Sequence, residues 1–154
     1  MQRIGIIGAM DSEVDNLIAR MENTAVTEYA GRRFVTGTLS GKDAVVVKSG
    51  IGKVAAAITA QMLIDRFEVT ALLNTGMAGG LDSRLSVKDL VVGTAALQHD
   101  FDLTAFGHVK GFLCGDDDTR PTLFPCDEDL IAKALDAAAC LIEKGVQEAQ
   151  NRFN

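Results

Sequence analysis

The sequence contains no tryptophan, one tyrosine, two prolines and three cysteines in 154 residues. No apolar run approaches the about 20 residues of a membrane-spanning helix, and the opening MQRIGIIGAMDSE lacks the charged and apolar regions of a secretion signal. Cys114, Cys126 and Cys140 are odd in number and form no CxxC pair, which predicts reduced thiols in a cytoplasmic protein. The net charge is −6 without a basic cluster, so neither a nucleic-acid partner nor a membrane is expected.

Apolar residues make up 47% of the chain and charged residues 23%, as in a globular protein, and the length fits one domain over residues 1–154. Strand-like and helix-like segments alternate. RIGIIG at 3–8, DAVVVK at 43–48 and VTALLNT at 69–75 read as buried strands, and a helix is predicted over 53–67 with Val54, Ala57, Ile58 and Met62 on its buried side. Further strands are predicted in 27–40 and 87–99. This alternation predicts an α/β fold with helices on the faces of a mostly parallel sheet.

Three loops are expected at the carboxyl ends of these strands, spanning residues 9–13, 49–53 and 76–80. Open α/β sheets bind ligands at that edge, so the loops predict one small-molecule site. Asp11 or Ser12 is predicted to cap the first helix, and Glu13 would lie in its first turn. Two readings of Glu13 stay open: a capping acid, or an ionised carboxylate that accepts a proton from water.

The sequence gives little support to dinucleotide binding, metal binding or serine-hydrolase chemistry. GIGKVA at 50–55 fits a dinucleotide fingerprint, but Asn74 stands where its acidic residue belongs, and the loop is not a Walker A sequence. The spacing of His99, Asp100, Asp102 and His108 matches no strong metal motif, and no G-x-S-x-G elbow is present. No metal site is therefore predicted.

Four segments in order and spacing are far more specific than any single motif. They are IGIIGAMDSEV at 4–14, KSGIGKVAAA at 48–57, NTGMAGGL at 74–81 and HDFDLTAFG at 99–107. Together they resemble the 5′-methylthioadenosine/S-adenosylhomocysteine nucleosidases, of the purine nucleoside phosphorylase-like superfamily. The resemblance runs from Ile4 to about Ile142.

The resemblance implies a three-layer α/β fold with a mixed central sheet flanked by helices. It also implies a cytoplasmic homodimer that uses water to release adenine from a purine thio-nucleoside in methionine salvage, without cofactor or metal. Glu13 matches the glutamate that activates the water. Positions implied to bind substrate lie in two groups: Met10, Ile51, Met77, Ala78 and Gly79 beside the nucleoside, and Leu103, Phe106 and His108 near the alkylthio group, partly across the dimer interface.

The chain departs from this family in three ways. It is expected to be C-terminally truncated, because no residue matches the family's adenine-protonating aspartate, its ribose-binding Met-Glu pair, its stacking phenylalanine or its arginine. Met77 replaces the usual serine, and His108 the usual tyrosine. The fold is thus predicted to be incomplete on its C-terminal side, with an exposed sheet edge that favours dimerisation. One alternative is an inactive fragment that keeps a dimer surface and weak nucleoside binding; another, with less support, is a phosphorolytic relative.

Overall fold

The computed structural model describes residues 3–113, 115 and 117–153, and within the last helix it describes side chains to 140 and at 142 and 143. The chain divides into two compact units, one ending at Ser83 and the other spanning Arg84–Phe153. Cys126 and Cys140 carry free thiols, whereas Cys114 lies outside the described residues. Within the described part of the chain, none of the helices has the length and apolar character that crossing a membrane requires.

The first unit contains a five-stranded sheet and two helices. In chain order they are β1 (Ile4–Gly8), α1 (Asp11–Ala19), β2 (Glu22–Tyr29), β3 (Arg32–Leu39), β4 (Lys42–Lys48), α2 (Lys53–Phe67) and β5 (Ala71–Asn74). The strand order is β2-β3-β4-β1-β5. Strand β1 pairs in parallel with β4 and β5, whereas β3 pairs antiparallel with β2 and β4. The sheet is therefore mixed, as the resemblance implies.

The two faces of the sheet bury different helices. On one face the side chains of β1, β3 and β4 pack against α2, in a cluster formed by Ile7, Phe34, Val45, Val47, Leu63, Phe67 and Val69. On the other face they pack against α1 and against Met21, two residues after its end, in a cluster formed by Ile6, Val14, Met21, Val35, Ala44 and Val46. Neighbouring residues of one strand enter opposite clusters because side chains alternate across a strand. The result confirms the predicted three-layer α/β fold.

The predicted buried side of α2 is wrong for Val54, Ala57 and Ile58, whereas Met62 is half-buried against the core cluster, as predicted. Thr59, Leu63 and Phe67 face the sheet, whereas Val54 is 73% exposed and Ile58 44%. The helix is apolar around most of its circumference, so periodicity alone did not separate its two faces. Threonine occupies the core side because its hydroxyl donates to the carbonyl of Ala55 at 2.7 Å, which satisfies the buried polar group.

The strand predicted in 69–75 forms, but it is not buried. Leu72 is 38% exposed and Leu73 39%, because β5 lies at the edge of the sheet, where β1 is its one neighbouring strand among the described residues.

The second unit contains little regular structure before its long helix. Its elements are β6 (Ala95–Ala96), a 3₁₀ turn (Thr104–Phe106), β7 (Phe124–Pro125) and α3 (Glu128–Phe153). The strand predicted over 87–99 is thus reduced to the two residues that pair with β7. A turn occupies its beginning, where the Ser86 amide donates to the Asp89 carboxylate at 2.8 Å. Asp127 caps α3 by accepting from the amide of Leu130 at 2.9 Å.

Candidate active site

Glu13 lies in the first turn of α1, next to the carboxyl end of β1. Its Oε2 accepts hydrogen bonds from the amides of Ala9 at 2.6 Å and Met10 at 3.1 Å. Met10 is the N-cap, so Glu13 supplies the acidic half of a capping box. The prediction that Asp11 or Ser12 caps this helix is therefore wrong: Asp11 is already its first residue.

A third amide, from the loop after β5, also donates to this carboxylate. The amide of Met77 donates to Oε1 of Glu13 at 3.0 Å. This contact is possible because β5 lies beside β1, with Asn74 opposite Ile7, and the amide of Thr75 continues the ladder by donating to the carbonyl of Ile7 at 2.9 Å. Glu13 thereby ties the loop after β5 to the loop after β1.

These hydrogen bonds stabilise the charged form of Glu13. The Met77 amide lowers the pKa of the Glu13 carboxyl most, desolvation opposes this, and the amides of Ala9 and Met10 lower the pKa further. Amide donors favour the charged form because they stabilise the negative oxygens. Glu13 is therefore an ionised, half-buried carboxylate at neutral pH. Such a group can accept a hydrogen bond from a water molecule and, later, its proton.

The loop after β4 meets the same edge. Ser49 is buried, and its amide donates to the carbonyl of Gly8 at 2.9 Å. Gly50 and Gly52 have φ values of 83° and 104°, a region that favours glycine, and they turn the chain into α2. Lys48 at the end of β4 pairs with Asp11, its Nζ 2.7 Å from Oδ1. The structure thus brings the three loops together at one edge of the first unit.

The predicted site residues of the first unit lie on these loops. Met10 is half-buried, Ile51 is 81% exposed and Met77 is 78% exposed, while Ala78 and Gly79 are exposed residues of the loop that follows. Met77 contacts Glu13 through its backbone amide, a contact that does not depend on the side chain.

The remaining predicted residues belong to the second unit. Leu103 is half-buried before the 3₁₀ turn, and Phe106 at its end is 78% exposed. The His108 ring stacks on Phe112 with centroids 4.9 Å apart, and its Nδ1 lies 3.3 Å from a carboxylate oxygen of Asp118. Among the residues that the structure describes, no three His, Cys, Asp or Glu side chains group as metal ligands.

Sequence reasoning missed two glycines of this site. A Cβ atom on Gly76 would lie 2.5 Å from Oε1 of Glu13, and one on Gly8 would lie 3.0 Å from the Cβ of Glu13 and 2.7 Å from a methyl of Val14. The signal in the sequence is positional, because Gly8 closes a predicted strand and Gly76 begins the 76–80 loop. Position alone does not show that either glycine packs against Glu13.

Comparison with known proteins gives a consistent result. The family model described as the phosphorylase superfamily matches residues 3–146. The 5′-methylthioadenosine/S-adenosylhomocysteine nucleosidase of Psychromonas ingrahamii is 47% identical over 136 residues, which cover 88% of this chain and 57% of that protein. The chain therefore spans less than two thirds of the length of this relative.

Two solved structures have the same fold. The nucleosidase of Colwellia psychrerythraea, in complex with adenine, is 46% identical with a TM-score of 0.83, covering 91% of this chain and 56% of that one. The nucleosidase of Neisseria meningitidis, in complex with methylthio-immucillin-A, is 38% identical with a TM-score of 0.84, covering 94% and 60%. The resemblance found in the four sequence segments is thereby confirmed, and the chain belongs to the phosphorylase superfamily.

Proposed function

We propose that this protein hydrolyses the N-glycosidic bond of a 5′-thio-substituted adenine nucleoside, methylthioadenosine or S-adenosylhomocysteine. The observation that carries the proposal is the Glu13 carboxylate, held ionised by three backbone amides where three loops converge. The similar proteins of known structure support it, since one is described with adenine and another with methylthio-immucillin-A.

In the proposed reaction, the bond between the anomeric carbon and the adenine nitrogen breaks, and its electron pair leaves with adenine, which takes up a proton from the solvent. The sugar becomes oxocarbenium-like, and the oxygen of water bonds to the anomeric carbon. A carboxylate with a lowered pKa is a poor base towards neutral water. Water that bonds to a cationic carbon becomes acidic, however. Glu13 therefore holds the water first and takes its proton late.

The substrate-binding residues remain those predicted from the sequence. We propose that Met10, Ile51, Met77, Ala78 and Gly79 contact the nucleoside, and that Leu103, Phe106 and His108 contact the alkylthio group, partly across the dimer interface. Exposed Gly and Ala positions let backbone groups approach a ligand closely, and apolar side chains suit a thioether. The thioether of Met77 cannot donate the hydrogen bond of a serine hydroxyl, so here only its backbone amide serves the carboxylate.

We also propose that the protein is a homodimer in the cytoplasm and that both units belong to one domain. The family match over 3–146 includes both units. An exposed apolar stripe on α2, which includes Val54, Ile58 and Ile64, supports association with a second copy. The free thiols of Cys126 and Cys140 fit a reducing compartment.

The test is product analysis with the purified chain. Methylthioadenosine and S-adenosylhomocysteine are each incubated in phosphate-free buffer, and adenine and the sugar are separated by chromatography. The proposal predicts adenine and a free thio-ribose without added phosphate. Release that requires phosphate and gives a sugar phosphate would identify the phosphorolytic alternative. Release of adenine from neither nucleoside would contradict turnover by this chain and favour binding alone.

A further inference from the structure

Gly76 lies directly against the carboxylate of Glu13. An added Cβ atom at this position would lie 2.5 Å from Oε1, 2.8 Å from Cδ and 3.1 Å from Oε2, and these are its three nearest neighbours. A distance of 2.5 Å is too short for a non-bonded contact between carbon and oxygen, so any side chain here displaces the carboxylate. The backbone of Gly76 is not in the positive-φ region, unlike that of Gly50 or Gly52. Glycine is required here for space and not for backbone freedom.

The hydrogen bonds of Glu13 limit where a water molecule can bind. An ionised carboxylate offers about four acceptor positions, two on each oxygen. The amides of Ala9 and Met10 occupy those of Oε2, and the amide of Met77 occupies one on Oε1. With the donors found among the described residues, one acceptor position remains, and it lies on Oε1, the oxygen nearest to Gly76.

We propose that Gly76 is a positioning residue: its missing side chain leaves room for Oε1 of Glu13, so that the one remaining acceptor position of the carboxylate holds the attacking water. This inference rests on the proposed hydrolytic function of Glu13. The amide of the next residue, Met77, fixes the same oxygen, so residues 76 and 77 together define where the water binds.

The first test is a Gly76→Ala variant of the full chain, with Gly93→Ala as the matched control. A Cβ atom on Gly93 meets nothing within 4 Å, and its φ is not positive. NMR titration of the Glu13 side-chain carboxyl carbon reports its pKa directly. We expect this pKa to rise in Gly76→Ala, because the displaced carboxylate loses the Met77 amide, and to stay unchanged in Gly93→Ala. An unchanged titration in Gly76→Ala would overturn the proposal.

Adenine release from methylthioadenosine gives a second readout. In Gly76→Ala we expect kcat to fall by about 10²-fold or more with a smaller change in KM, and the acidic limb of the pH–rate profile to move to higher pH. A uniform loss with an unmoved acidic limb would assign Gly76 a purely structural role. If the wild-type chain releases no adenine, the proposed function fails, whereas the titration still decides the placement of Oε1.

A double-mutant cycle shows whether the two residues act on each other. Gly76→Ala is expected to lower the thermal unfolding midpoint in the wild-type background and to leave it unchanged in a Glu13→Ala background, where the three nearest atoms have been removed. An equal decrease in both backgrounds would contradict the proposed contact.

Discussion

Two valines that face each other on neighbouring strands provide a sharp test of the layer that carries Glu13. Val35 of β3 is directly opposite Val26 of β2 in the antiparallel register. Val35 is 1% exposed in the cluster that includes Val14 of α1, whereas Val26 is 51% exposed. Both are replaced by alanine in single variants. Because both positions are in strands, the difference in β-propensity between valine and alanine largely cancels.

The expected losses differ because the burial differs. Val35→Ala removes two buried methyl groups worth about 0.8 kcal/mol each and leaves a cavity, for a total of about 2–3 kcal/mol. Val26→Ala removes methyl groups that are already half in water and leaves no enclosed cavity, for about 0.5–1 kcal/mol. Urea unfolding followed by far-UV circular dichroism measures both values, provided that the slopes agree. An equal loss, or a larger one for Val26→Ala, would refute the assigned packing of α1 on the sheet.

Three further predictions concern a turn, the pH dependence of stability and association. Ala30 has a φ of 47° before Gly31 in the β2–β3 turn, so Ala30→Asn should raise the free energy of unfolding by about 0.5–1 kcal/mol, as measured by urea titration. The folded-state pKa of Glu13 is lowered below 4.5, so its stabilisation is complete above that pH and is lost as the pH falls through the folded pKa. The difference in unfolding midpoint between wild type and Glu13→Gln should therefore shrink on acidification below 4.5, and a constant difference would contradict the lowered pKa. If the protein is the proposed homodimer, Ile58→Asp should convert it to monomers in sedimentation velocity, whereas an unchanged dimer would contradict the proposed interface on α2.

The sequence predicted the central elements because their patterns were clear. Helix α2 has the predicted bounds, and the apolar runs that form β1 and β4 lie at the centre of the sheet. It did not predict which face of α2 is buried, because Val54 and Ile58 are as apolar as Leu63, and only the shape of the sheet face selects among them. The strand predicted over 87–99 does not begin at 87, because the side chain of Asp89 accepts a hydrogen bond from the Ser86 amide and forms a turn there.

The site was predicted in part. Helical spacing and the resemblance both pointed to Glu13 but left two readings open, a capping acid and a carboxylate that serves water. The structure shows the capping role, because Oε2 accepts a hydrogen bond from the N-cap amide of α1. The other oxygen, Oε1, faces the loop after β5. The role of Gly76 could not be derived from the sequence, since it depends on a contact between residues 63 positions apart that only the pairing of β1 with β5 creates.

In the proposed reaction, the ionised carboxylate of Glu13 holds the attacking water and takes its proton. The most direct measurement compares the rate of adenine release from methylthioadenosine by the wild-type chain, by Glu13→Gln and by the control Glu28→Gln, an exposed glutamate on β2. Glutamine keeps the shape of the side chain but cannot take a proton. We expect Glu13→Gln to lose about 10²–10⁴ in rate and Glu28→Gln to equal the wild type. Equal rates for Glu13→Gln and the wild type would contradict the claim.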